Sequence, residues 1–181
     1  MAKEYKCQKV VYENYLGFAL KIVFRYIYRY DRAVDVVNDS FVKLFSNFDR
    51  FTAVADDTGN RRLLMGYIKR IMINSSIDEL RKGNMMQETG PVPDYVWDFS
   101  VKDHDADQQL LYKQLILMIK ELPPSYRTVF NLYVIDGYSH AEIAEIMQIP
   151  VGSSKSNLAR AKKMLQLSIK KLEDQSYAVI R

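Results

Sequence analysis

A chain of 181 residues with 48% hydrophobic and 27% charged residues reads as globular, and it has room for one ordinary domain or two small ones. Its 26 bases against 22 acids leave a net charge of +4, a mild excess whose distribution matters more than its size. One cysteine, Cys7, excludes an internal disulfide framework. No apolar run is long enough to span a bilayer and the first residues hold no signal core, so a soluble, cytoplasmic protein is expected.

Seven glycines and five prolines favour helices over a many-turned β fold. Residues 12–30 carry Tyr12, Tyr15, Leu16, Ala19, Ile22, Val23, Tyr26 and Ile27 at three- and four-residue spacing, which predicts a first helix. A second stripe runs through Ala33, Val36, Val37, Phe41, Leu44, Phe45 and Phe48, with Asp31 or Asp35 near its start, where the helix dipole favours an acid. A third runs Leu63, Leu64, Tyr67, Ile68, Ile71, Met72, Ser75, Ile77 and Leu80, and the bases before Gly83 mark its end.

The composition then changes. Between Gly83 and Gln108 there are six acids and one base, two prolines and no apolar period. This segment predicts a linker, read either as a solvated loop or as an acidic strap suited to a basic groove. A second helical domain follows. Leu110, Leu111, Leu115, Ile116, Met118, Ile119 and Leu122 are expected to face its core; a proline opens the next helix and Asp136-Gly137 stops it.

Ser139 and Glu142 form a capping box at the head of SHAEIAEIM, and Pro150 and Gly152 break the chain after it. The next helix, with Ser153 or Ser154 as cap, carries Lys155, Arg160, Lys162, Lys163, Lys170 and Lys171, and no acid interrupts it from Gly152 until Glu173. Two short helices joined by a tight turn are a helix-turn-helix, whose second helix enters the major groove by its first turns. Small hydroxyl residues there allow close approach. Asn157 suits an adenine edge, and Lys155 or Arg160 a guanine or a phosphate. A solvated basic face with a serine cap is the plainer reading of the same residues. The turn position of Gln148 is one that favours glycine, because its backbone tends toward positive φ.

The first domain offers a second basic surface. Arg61, Arg62, Lys69, Arg70, Arg81 and Lys82 interleave with Tyr67, Asn74, Ser75 and Ser76, a mixture suited to phosphates and unstacked bases; Tyr67 fits core packing equally well. Upstream, Asp31, Asp35, Asn38 and Asp39 lie beside Phe41 and Phe45. Such acids repel DNA and suit a protein partner, or simply a solvated face. His104 and His140 are isolated, and neither a phosphate-cradling glycine loop nor a metal-ligand spacing occurs. No catalytic residue, metal or cofactor is expected.

In this order and spacing the residues resemble the extracytoplasmic-function (ECF) sigma factors, the small two-domain class of bacterial RNA polymerase initiation subunits. DRAVDVVNDSFVKLFSNFDRF is similar to the family's core-binding segment, and YIKRIMINSSIDELRKG resembles its promoter-melting helix. LPPSYRTVFNLYVIDGYSHAEIAEIMQIPVGSSKSNLARAKKML resembles its minus-thirty-five-reading domain. The resemblance implies an all-α fold: sigma region 2 over 8–86, an acidic linker over 87–108, and sigma region 4 with its helix-turn-helix over 109–175.

It also implies roles. Asp35, Asn38, Asp39 and Phe41 would contact the clamp helices of the polymerase's largest subunit. Arg61, Arg62, Lys69, Arg70, Asn74 and Asp78 would engage the melted minus-ten strand, with Arg81 and Lys82 holding phosphate. Ser153, Ser154, Lys155, Ser156, Asn157 and Arg160 would read the minus-thirty-five duplex. The implied partners are core RNA polymerase, promoter DNA and an anti-sigma factor. Tyr67 stands where the family often has tryptophan, Ser154 and Asn157 where valine and arginine are frequent, and Gln148 where the turn has glycine. Each mismatched base costs about 1–3 kcal/mol, so specificity would come from two weak readers that polymerase holds at a fixed distance. The alternative is a helix-turn-helix regulator that binds duplex DNA without polymerase.

Overall fold

The computed structural model describes residues 2–48, 57–83 and 106–179, and every regular element among them is helical. The acidic segment expected as a linker lies outside the described residues up to 105; its last three residues begin a helix. The chain divides into two compact units, one holding the first three helices and the other the rest.

In the first unit, α1 (Ala2–Val23) begins well before the apolar stripe and ends inside it. The chain turns at 24–26, where the Phe24 N–H donates to the Leu20 carbonyl and the Ile27 N–H to that of Val23, both at 2.9 Å. Tyr26 and Ile27 therefore leave the helix yet remain in the core with Ala19, Ile22 and Val23. Helix α2 (Tyr30–Ser46) buries Ala33, Val36, Val37, Ser40, Phe41 and Leu44. Arg29, at its N-cap, makes no cap hydrogen bond with its side chain; it pairs with Asp31 at 2.6 Å. The Arg29 guanidinium, assisted by the Arg32 backbone, holds the Asp31 carboxyl below the usual carboxylate range.

Helix α3 (Asp57–Lys82) buries Ile68, Met72, Ile73, Ser76, Ile77 and Leu80, from near its middle to its C-terminal turn. The buried hydroxyls of Ser40 and Ser76 donate back to the carbonyls of Val36 (2.6 Å) and Met72 (2.7 Å), so neither is a polar orphan in the core. Polar links that join α2 to α3 include Arg32 to Glu79 at 2.7 Å and Lys43 to Ser75 at 3.2 Å.

The second unit begins with α4 (Ala106–Glu121), followed by α5 (Pro124–Phe130) with proline in its first turn. Arg127 is buried, and its guanidinium donates at 2.7 Å to the Lys120 carbonyl, one of the acceptors a helix leaves unpaired at its C-terminus. Helix α5 runs into a π-helical turn, Asn131–Ile135, which no residue pattern announces. The turn closes where the Asp136 N–H reaches the Asn131 carbonyl at 2.9 Å, and Gly137 at φ +80° ends the element. Helices α6 (His140–Met147) and α7 (Val151–Val179) complete the unit.

The core expected on α4 is only partly formed. Ile119 and Leu122 meet Ala161 and Leu165 of α7, and Met118, Tyr126 and Phe130 pack on that cluster. Leu110, Leu111 and Leu115 are exposed, Leu111 at 66%. The helix is apolar on more than one face, and the residues of its C-terminal end meet α7.

Candidate nucleic-acid interface

The capping box at α6 forms as its residues require. Ser139 Oγ accepts from the Glu142 N–H at 3.3 Å, and Glu142 Oε2 accepts from the Ser139 N–H at 2.8 Å. Gln148 ends α6 in the left-handed region, φ 54° and ψ 47°, the conformation its turn position demands and a β-carbon resists. Helix α7 starts at Val151, so Ser153 and Ser154 sit inside its first turn and do not cap it. The Pro150 carbonyl accepts from both of their N–H groups, at 2.9 and 3.1 Å.

Ser154, Leu158, Ala161 and Leu165 are buried, at intervals of four, three and four, and define the inward seam of α7. Ser156 and Arg160, four apart, lie on the opposite, exposed face with Lys163; Lys155 is exposed at one side, and Ser153 and Asn157 are half-buried at the other. All six residues expected to read duplex DNA lie at one end of this helix, and five of them are exposed or half-buried.

Ser154 is the correction. It is 0% exposed, and its Oγ lies 2.9 Å from Nδ1 of His140. Its side chain faces α6 and has no path to a base, because the seam of α7 passes through its position. Arg160 is steadied from behind: its guanidinium donates to the Tyr126 hydroxyl at 3.3 Å and lies 5.9 Å from that ring's centroid.

On α3, Tyr67, Arg70, Asn74, Asp78 and Arg81 recur at three- and four-residue steps along the side opposite the core. Arg70, Asn74 and Asp78 are exposed, and Tyr67 is half-buried on the same stripe. Arg61 and Arg62 are exposed upstream of Ile68, the first buried residue of the helix, while Lys69 is half-buried toward the core side. Carboxylates in the same helix temper the cations at its C-terminus: Arg81 lies 3.4 Å from Asp78, and Lys82 3.7 Å from Glu79. An open cleft of about 330 Å³ between α2 and α3 is lined by Asp39 and Lys43 on one side and Ser75, Asp78, Arg81 and Lys82 on the other.

The outer face of α2 presents Asp35, Asn38 and Asp39, all exposed, with the Tyr12 hydroxyl donating to Asn38 Oδ1 at 2.9 Å. Phe41 does not belong to this face. It is 2% exposed, edge-on to Tyr12 at 4.9 Å and stacked on Phe45, and contributes to the core. The apolar group that does share the acidic face is Val42, 64% exposed, four residues after Asn38 and seven after Asp35. That spacing is its only signal in the sequence, where Phe41 is the more conspicuous neighbour.

Among the described residues no cluster of His, Cys, Asp or Glu could hold a metal ion, and no helix is long and apolar enough to cross a membrane. His104 lies outside the described residues.

Comparison with known proteins adds the following. The family model for sigma-70, region 4, matches residues 112–165, the span from α4 to the middle of α7. The ECF RNA polymerase sigma factor SigW of Bacillus subtilis is 26% identical over 172 residues, covering 84% of this chain and 83% of its own. The ECF RNA polymerase sigma-E factor of Haemophilus influenzae is 25% identical, covering 92% and 89%. The fold is similar to that of the sigma factor RpoE from Bartonella quintana, solved with the anti-sigma factor NepR, at a TM-score of 0.55 and 20% identity over 90% of this chain and 98% of that one.

Proposed function

We infer that this chain is an ECF RNA polymerase sigma factor: a transcription initiation factor that binds core RNA polymerase and directs promoter recognition and melting. The observation that carries the reading is a capped helix, a tight left-handed turn and a helix that carries no acid before Glu173, in a segment matched by the region 4 model and within a chain similar to curated sigma factors over most of its length.

In this reading the first unit is region 2 and the second is region 4. The face of Asp35, Asn38, Asp39 and Val42 docks on the polymerase. The opposed signs of this face and the DNA-facing stripes prevent it from competing for nucleic acid. The stripe of Tyr67, Arg70, Asn74 and Asp78 takes the melted minus-ten strand, where a flipped base is held by stacking and by amide hydrogen bonds. Arg61 and Arg62 guide the strand toward it, Lys69 supports the stripe from its flank, and Arg81 and Lys82 meet phosphates after exchanging their carboxylate neighbours. Lys155, Ser156, Asn157 and Arg160, with Ser153 at the margin, read the minus-thirty-five duplex.

The acidic charge of the segment over 87–108 suits the polymerase's basic nucleic-acid channels. An anti-sigma factor, the class of partner in the Bartonella complex, would hold the protein inactive. The protein works in the cytoplasm, without cofactor or catalytic residue of its own.

Run-off transcription with core polymerase tests the reading. Specific initiation is expected only when both proteins are present, with weak DNA binding by the chain alone. Tight duplex binding without polymerase would instead establish a conventional regulator. Charge reversal of Asp35 and Asp39 to lysine is expected to weaken holoenzyme assembly roughly 100-fold, since like charges across an interface cost several kcal/mol. Fluorescence anisotropy of the labelled chain titrated with core polymerase checks it.

A further inference from the structure

We propose that His140 is a positioning residue for duplex recognition, acting through Ser154; this rests on the reading of α7 as the duplex reader. Ser154 lies in the first turn of α7, between Ser153 and Lys155, and is wholly buried. A buried hydroxyl is costly unless it is hydrogen-bonded. Its partner is Nδ1 of His140, 2.9 Å away, on the first residue of α6. The His140 ring stacks on Tyr133 of the π-helical turn, with centroids 4.5 Å apart and planes 24° apart. One imidazole therefore joins three elements: the π-helical turn through its face, α6 through its backbone, and α7 through Ser154.

The bond sits at the end of α7 that meets DNA. Between α6 and α7 the chain is only Gln148, Ile149 and Pro150, and Gln148 holds a conformation that side chains resist. The turn is held by backbone bonds, the Ile149 N–H donating to the Ala144 carbonyl at 3.0 Å, and the buried Ser154 adds a side-chain tie between the two helices. The His140–Ser154 bond sets how the first turn of α7 is presented, and so where Lys155, Ser156 and Asn157 point. His140 acts on DNA recognition through this bond, and base contact by His140 is not required.

The test uses the full chain bound to core polymerase, on a promoter mapped by its own run-off transcripts. The readout is the ratio of promoter occupancy with the minus-thirty-five sequence intact to occupancy with it scrambled. His140→Ala and Ser154→Ala are each expected to lower that ratio about three- to ten-fold, and the double variant no further than the worse single, since residues sharing one bond are non-additive. His140→Asn, whose side-chain amide reaches the place of Nδ1, is expected to restore the ratio to within about twofold of the unsubstituted protein. Melting curves of every variant separate presentation of the helix from loss of fold: the Asn variant loses the Tyr133 stack, so it is expected to melt lower while retaining the ratio.

Additive losses would overturn the proposal, as would a loss in His140→Ala alone with Ser154→Ala unaffected, which would make His140 a direct phosphate contact. Failure of His140→Asn to restore the ratio would also overturn it. A ratio of one in the unsubstituted protein would instead sink the reading of α7 itself, and the proposal with it.

Discussion

Helices α3 and α7 both carry a polar, cation-bearing stripe opposite a buried seam, yet their charges are arranged differently. In α3 the last cations lie beside carboxylates of the same helix, Asp78 with Arg81 and Glu79 with Lys82. In α7 no acid occurs between Gly152 and Leu172, while Lys155, Arg160, Lys162 and Lys163 line its first turns. A field of unopposed cations attracts a duplex backbone wherever it lies. A tempered stripe with an amide and an aromatic ring among the charges holds few phosphates and selects for bases it can stack on or bond. On the proposed function, the difference suits α7 to double-stranded DNA and α3 to a strand already opened.

That contrast can be broken most directly by salt. Replacing Lys155 and Arg160 together with alanine is expected to weaken holoenzyme binding to an intact promoter roughly 10- to 100-fold and to reduce the slope of log affinity against log salt by about 2. Filter binding at several stated salt concentrations checks it. If the slope does not change, the cations of α7 do not face phosphate. A smaller effect is expected from Asn74→Ala on α3: promoter opening, read by permanganate reactivity of unpaired thymines, falls about tenfold while the salt slope stays as it was. A changed slope there would erase the distinction between the helices.

The smallest effect concerns the scaffold. Gln148→Gly relieves a left-handed residue that costs about 1 kcal/mol, so the melting transition of the second unit is expected to rise by about 4–8 °C with promoter selectivity kept. Calorimetry of the full chain, with its two units, reads this.

Much of the frame is legible in the residues because local rules set it. Ser139 with Glu142, Asp136 with Gly137, and the stripes through Val36, Val37 and Leu44 or Ile68, Met72 and Leu80 each imply one structure. The misassigned residues are those whose chemistry serves two ends. Serine caps, donates to DNA or bonds a neighbour. Only its register with Leu158, Ala161 and Leu165 places Ser154 in the seam, and that register is hidden by the run of small polar residues around it. Phe41 lies among acids in the sequence but one step off their face on the helix, and a single step of 100° separates partner contact from core. The leucines of α4 keep a helical period, and no period reports how far the neighbouring helix extends. The π-helical turn has no compositional signature, so Tyr133 gives no hint that it meets His140.

The links between α2 and α3 have a consequence for how such a protein diversifies. Arg32 with Glu79, and Lys43 with Ser75, fasten the two helices on their inner flanks, while the acidic face of α2 and the polar stripe of α3 both point outward. On the proposed function, substitutions at Arg70 or Asn74 retune which bases are preferred while Asp35 and Asp39 keep their place, because the two sets lie on different helices of one scaffold. A lineage that duplicates a chain working as proposed here can keep its polymerase and change its promoters, one exposed residue at a time.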